Sequence, residues 1–234
     1  MNNSAALDIL RDFVALFFPR CCTGCQGALV RGEELICTNC MLELPRSYYH
    51  LERENPFYNK FRGRLPVSQV ITLFKFVKGS RVQHLLHALK YKNQPELGVA
   101  LGRMYGNDLL HAGYARKFDL IISVPLHSSR RRKRGYNQSE EFGKGLSEAL
   151  GVPCRDDLME RIVSTNTQTR KLRLSRWQNV SNVFRVTRPA EIDNRKILLV
   201  DDVVTTGATL EACGQALIDA GCRELSIACI AATQ

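Results

Sequence analysis

The stretch KILLVDDVVTTGATL, residues 196–210, decides the fold. Ile197, Leu198, Leu199 and Val200 form a short apolar run, and two adjacent acids, Asp201 and Asp202, follow it. A continuous run of branched apolar residues reads as a strand covered on both faces, as in a parallel sheet. Successive strand residues face opposite sides. Both acids can therefore address one ligand only if the strand stops at them and the chain turns, and the sequence is read that way. Val203, Val204, Thr205, Thr206, Gly207, Ala208 and Thr209 come next, and a helix is expected over 208–220. A Thr/Gly loop at a helix start offers unpaired backbone N–H groups, hydroxyl donors and a helix dipole that favours an anion. Gly207 lets the backbone approach closely. These features suit a phosphate, with the carboxylates placed for ribose hydroxyls or for a Mg²⁺ shell. The blander reading is an acid-rich turn and cap. The chain has neither G-x-x-x-x-G-K-[ST] nor G-x-G-x-x-G, so it carries neither a Walker loop nor a dinucleotide fingerprint.

Working outward, strands alternate with helices. Strands are expected over 70–79, 118–126, 182–186, 196–200 and 224–232, with a short extended piece at 158–163. Helices are expected over 80–92, 95–113 and 137–151; Pro95 starts the second, and Gly151 follows the third. The pattern specifies an α/β domain with a largely parallel sheet. In such sheets ligands bind beyond the carboxyl ends of the strands. Residues 164–182 fit no element and read as a long loop or weak hairpin. The pattern begins near residue 67, so two parts are expected: 1–66, with a helix, a cysteine module and a linker, and 67–234, the α/β domain.

The formal net charge is +10, and two segments hold it. Arg130, Arg131, Arg132, Lys133 and Arg134 are consecutive, and residues 161–188 carry seven more Arg and Lys with no acid, so the rest of the chain sums to −2. Concentrated Arg interleaved with Asn, Gln, Ser and Thr suits phosphate, pyrophosphate or nucleic acid. A solvated surface run is the plainer reading.

Five of nine cysteines fall within residues 21–40. Cys22-x-x-Cys25 and Cys37-x-x-Cys40, with eleven residues between them, have the spacing of two knuckles on one tetrahedral zinc ion. Four thiolates close the shell, so the zinc would be structural. Cys21 could replace Cys22 only with a longer first knuckle. Disulfides fit an odd cysteine count and no export signal poorly. A cytoplasmic protein is expected. No apolar run reaches the ~18 residues of a membrane span, so an integral membrane protein is not expected. Residues 7–17 read as an amphipathic helix ended by Pro19; packing on the protein and lying on the membrane's inner face both remain open.

ILLVDDVVTTGATL resembles the 5-phosphoribosyl 1-pyrophosphate (PRPP) motif of type I phosphoribosyltransferases. The resemblance implies that Asp201 and Asp202 hold the ribose, that 205–209 hold the 5′-phosphate, and that Mg²⁺ accompanies the pyrophosphate. It implies a pyrophosphate-facing turn after LIISVPL, with Leu126, His127 and Arg130, and a hood over 164–182. Arg134 and Arg170 would stabilise the departing pyrophosphate. The order of paired CxxC, LKYK (89–92), VPLH (124–127), RRRKRGYNQ (130–138), TQTRKLRLSRWQNVSNVF (167–184) and the PRPP motif is similar to the ComF family, linked to competence and use of imported DNA. Implied partners are PRPP, single-stranded DNA and DNA-uptake proteins, with Tyr136, Trp177 or Phe184 available to stack on bases. A phosphoribosyltransferase with an unknown acceptor is the alternative. A lone His such as His127 more often serves as a structural hydrogen-bonder, though its place beside the basic run favours a role at the site.

Overall fold

The structure is a computed structural model that describes residues 17–162 and 183–233. The expected helix over 7–17, apart from its last residue, and the whole of the expected loop over 164–182 lie outside the described residues. Five parallel strands form the main sheet: β1 (Gln69–Phe76), β2 (Leu120–Ser123), β3 (Cys154–Arg155), β6 (Lys196–Val204) and β7 (Glu224–Thr233), in the order β1-β7-β6-β2-β3. β4 (Met159–Arg161) and β5 (Phe184–Val186) pair antiparallel in a separate ribbon.

Alternation along each strand sorts its residues between two cores. Ile121, Leu198, Val200, Ala228 and Ile230 face one side. There they meet α3 (Arg81–Tyr91), α4 (Pro95–His111) and α6 (Gln138–Leu150) through Leu85, Leu101 and Phe142. Leu120, Ile122, Ile197, Leu199, Ile227 and Cys229 face the other side, against α7 (Ala208–Asp219) through Leu210, Cys213 and Leu217. The three expected long helices and the sheet class stand as read. The strand β3 was not foreseen: two residues carry too little pattern.

α4 and α6 meet at backbone distance. A Cβ added at Gly102 would lie 2.2 Å from the Phe142 carbonyl oxygen, and one at Gly145 would lie 2.1 Å from that of Val99. Two short helices precede the sheet, α1 (Thr38–Glu43) and α2 (Pro56–Phe61). Asn55 caps α2, its Oδ1 accepting from the N–H groups of Phe57 and Tyr58. Phe57, Phe61 and Leu65 are buried in the second core, so the segment before β1 is packed onto the sheet rather than strung beside it.

Candidate functional site

β6 does not stop at the acids. It runs through Asp201 and Asp202 to Val204, in parallel register with β7 as far as Ala232. The side-chain alternation is what changes. Leu198 and Val200 face the first core, yet Val203 also packs there and Val204 faces the second. Strict alternation would give the reverse, so the facing slips between Asp201 and Val203. Asp201 lines the cavity that follows, whereas Asp202 does not and turns to Lys90 instead.

The loop then closes into a cradle. A cavity of about 40 Å³ is lined by Asp201, Val203, Val204, Thr205, Thr206, Gly207, Ala208, Thr209 and Leu210. Gly207 has φ +81° and caps α7 without any side-chain bond. A side chain here would be strained, and a Cβ would also come within 2.9 Å of the Phe61 ring. At the start of α7 the Ala208 N–H donates to Thr206 Oγ1 at 3.4 Å, and the positive end of the helix dipole lies at the loop. Lys60 fixes the loop from beneath: its Nζ donates to the Thr205 carbonyl (3.1 Å) and to the Thr233 carbonyl (2.9 Å). Arg64, one turn on, pairs with Glu211 in the first turn of α7.

The carboxylates are held separately. Ser139 Oγ, at the start of α6, donates to Asp201 Oδ1 at 2.8 Å, and the Asp202 N–H donates to the same oxygen at 2.8 Å. Lys90 Nζ, near the end of α3, lies 2.8 Å from Asp202 Oδ2. Burial pushes the Asp201 carboxyl up to about 7, and the Asp202 charge adds to the rise. Ser139, the Asp202 N–H and Lys90 only partly oppose it. A carboxyl in this state gains from further donors. Ser123 Oγ, at the carboxyl end of β2, and Gln138 Nε2, beside Ser139, are buried and find no partner among the described residues. Cradle, buried carboxyl and orphaned polar atoms at one sheet edge fit a ligand bearing both phosphate and hydroxyls.

The basic run is a helix, α5 (Ser128–Arg134), where a turn was expected. Arg and Lys are good helix formers, and the ends are defined. His127 Nδ1 accepts from the Ser129 N–H at 3.2 Å, and Gly135 ends the helix at φ +86°. His127 is thus a capping residue in this state. Leu126 and His127 are partly buried, and Arg130 is exposed. Arg134 turns onto Tyr91, its guanidinium carbon 5.7 Å from the ring centroid. Arg170 and Trp177 lie outside the described residues. Tyr136 and Phe184 are not free to stack on a base. Both are buried: the Tyr136 hydroxyl donates to the Leu89 carbonyl and accepts from the Gln94 N–H, and Phe184 sits in the second core. The exposed aromatic beside α5 is Tyr91, packed against the His87 ring at 4.8 Å.

The sulfurs of Cys22, Cys25, Cys37 and Cys40 all lie within 4.8 Å of one another, a cluster able to hold a metal ion. The Cys25 and Cys37 sulfurs are 3.7 Å apart. Tetrahedral zinc with bonds of about 2.3 Å separates its sulfurs by about 3.8 Å. Cys22 Sγ accepts from the N–H groups of Gly24 (3.4 Å) and Cys37 (3.2 Å). Burial raises the Cys22 thiol, but the backbone N–H groups outweigh it and bring it to about 6. A Cβ at Gly24 would press on Cys40 Sγ at 3.1 Å, so a larger residue there would push the fourth sulfur by a few tenths of an ångström. Cys21 is exposed and stands outside the cluster, which settles which of the adjacent pair belongs to it.

Residues 109–234 match the Phosphoribosyl transferase domain. The DNA utilization protein YhgH of Escherichia coli K12 is 30% identical over 215 residues, 91% of this chain and 90% of that one. The chain belongs to the ComF family. Within that family, Competence protein F of Haemophilus influenzae is 28% identical over 90% of this chain and 96% of its own. Among solved structures, the glutamine PRPP amidotransferase of B. subtilis aligns at 17% identity with a TM-score of 0.44, over 61% of this chain and 30% of the longer enzyme.

Three residues at the site of this ComF-family chain had no assigned role in the sequence: Lys60, Lys90 and Ser139. Lys90 lies in the LKYK string, and its spacing on α3 beside an otherwise apolar face was the available signal. Lys60 and Ser139 approach the site only through tertiary packing, and no local pattern marks them.

Proposed function

We propose that this ComF-family chain binds PRPP at the carboxyl edge of its sheet and works in the cytoplasmic handling of imported single-stranded DNA. The observation that carries the PRPP reading is the junction from β6 to α7, where two adjacent carboxylates are followed within a few residues by a glycine-capped cradle. In this reading 205–209 and the Val203 backbone surround the 5′-phosphate, and Asp201 and Asp202 accept from the ribose hydroxyls. Mg²⁺ travels on the pyrophosphate, which points toward Leu126, His127 and Arg130, with Arg134 one helix turn further on. Zinc in the Cys22, Cys25, Cys37 and Cys40 cluster is structural, since four thiolates leave no open coordination position.

The DNA reading draws on the names of the relatives, DNA utilization protein and Competence protein F, and on the charge of α5. Arg131 is tied to Glu140 and Asp156, whereas Arg130, Arg132 and Lys133 have no ion pair among the described residues. Tyr91, exposed beside them, offers a ring for a base. Calorimetry of PRPP with Mg²⁺ on the wild type and on Asp201→Ala/Asp202→Ala tests the first half. Binding by the wild type and loss in the variant is expected; no binding by the folded wild type would overturn it.

A further inference from the structure

The opposite edge of the sheet carries a second concavity. A cavity of about 660 Å³ opens where the strands begin, with Gln69 of β1, Lys196 of β6 and Glu224 of β7 in its wall. β6 separates it from the cradle by roughly 26 Å, eight steps at about 3.3 Å each. Arg53, Arg116, Lys117 and Lys196 line it, and Glu224 is the one acid in the wall. None of these four cations makes an ion pair among the described residues. Elsewhere Arg46, Arg64, Arg81, Arg103, Arg155, Arg185 and Arg188 each pair with an acid, whereas here four cations share one concavity, with Lys117 Nζ 4.1 Å from the Tyr114 ring centroid.

Like charges gathered in a concavity repel one another, and a bound anion relieves that repulsion. His50 lies in the same wall, and its Nδ1 is buried with no partner among the described residues. Leu51 and Phe118 add apolar surface, and the Tyr114 hydroxyl is already engaged by the His50 carbonyl and by Gln69. The volume falls within the roughly 300–1,000 Å³ usual for small-molecule sites, far more than a lone phosphate fills. Four cations answer two phosphates, and the apolar wall answers a base.

We propose that this cavity is a second ligand site, for a nucleoside diphosphate, separate from the PRPP cradle. ADP without Mg²⁺, titrated into the zinc-loaded full-length protein, is the probe. Arg116→Ala/Lys117→Ala should weaken ADP about tenfold or more, the weight of one or two charge-assisted hydrogen bonds. Glu224→Gln should tighten it several-fold, a gain that misfolding does not imitate. Thr206→Val/Thr209→Val, which alters only the cradle, should leave ADP affinity unchanged. The proposal is overturned if the wild type does not bind ADP at millimolar concentration. It is also overturned if the cradle variant abolishes binding, or if the Arg116/Lys117 variant keeps its ADP affinity and loses single-stranded DNA instead.

Discussion

Asp201 holds its proton into the neutral range because burial and the Asp202 charge disfavour its ionised form more than Ser139, the Asp202 N–H and Lys90 favour it. Its folded pKa of about 7 lies above the ordinary 3.8, so the folded state binds the proton more tightly. That contribution to stability is complete below about pH 4 and is lost as the pH rises through 7. Asp201→Asn should therefore stabilise the unliganded protein at pH 8 by on the order of 3 kcal/mol, with little gain near pH 4. Urea unfolding of both proteins across that range measures the difference; equal curves would mean that the carboxylate is fully solvated. PRPP affinity should change the other way, rising from pH 6 to pH 8 in the wild type, because hydroxyls bond better to the ionised carboxylate, and being lost in the variant. Lys90 is the counterweight. Lys90→Met leaves Asp202 without its 2.8 Å partner, and a double-mutant cycle with Asp202→Asn should return a coupling of about 1–2 kcal/mol for this partly buried pair. A coupling near zero would make the contact incidental.

At the scale of elements, the contact between α4 and α6 sets where Ser139 stands relative to Asp201. Gly102 and Gly145 allow the two backbones to touch. In an exposed helix, Gly→Ala gains about 1 kcal/mol from propensity alone. Here the sign should reverse. The new methyl of Gly102→Ala would meet the Phe142 carbonyl, the Gly145 Cα and the Leu146 N–H, all backbone atoms that no rotamer change can move aside. A loss of about 2–4 kcal/mol is expected from the denaturation midpoint, with weaker PRPP binding as α6 withdraws Ser139. An unchanged midpoint would show that the helices slide freely. α5 makes the complementary point about ends: His127 and Gly135 convert a run of five cations, which repel one another, into a defined helix beside the site.

Across the whole molecule, the layers were legible in the sequence wherever periodicity extends over several turns or strand residues, as in α3, α4, α6, β6 and β7. The cradle was legible because 205–209 is contiguous. What was not legible depends on surfaces meeting: the slip in facing at Asp201, Lys60 reaching under the loop, and the burial of Tyr136 and Phe184, whose aromatic character alone says nothing of exposure. The same limit governs the charge. Twelve cations in two segments suggest an anionic partner, but only the fold separates those already paired, such as Arg131 and Arg185, from Arg130, Arg132 and Lys133, which are free among the described residues. If these three meet the phosphates of a single strand, each releases a counterion. The slope of log affinity against log salt should then fall in magnitude by about 2 in the triple Ala variant, at roughly 0.7 per contact. Tyr91→Ala should instead weaken binding at every salt concentration with the slope unchanged, since stacking releases no counterions. Fluorescence anisotropy of a labelled oligonucleotide from 50 to about 300 mM salt separates the two effects. An unaltered slope in the triple variant would remove α5 from the DNA path and leave pyrophosphate as the anion its charge serves.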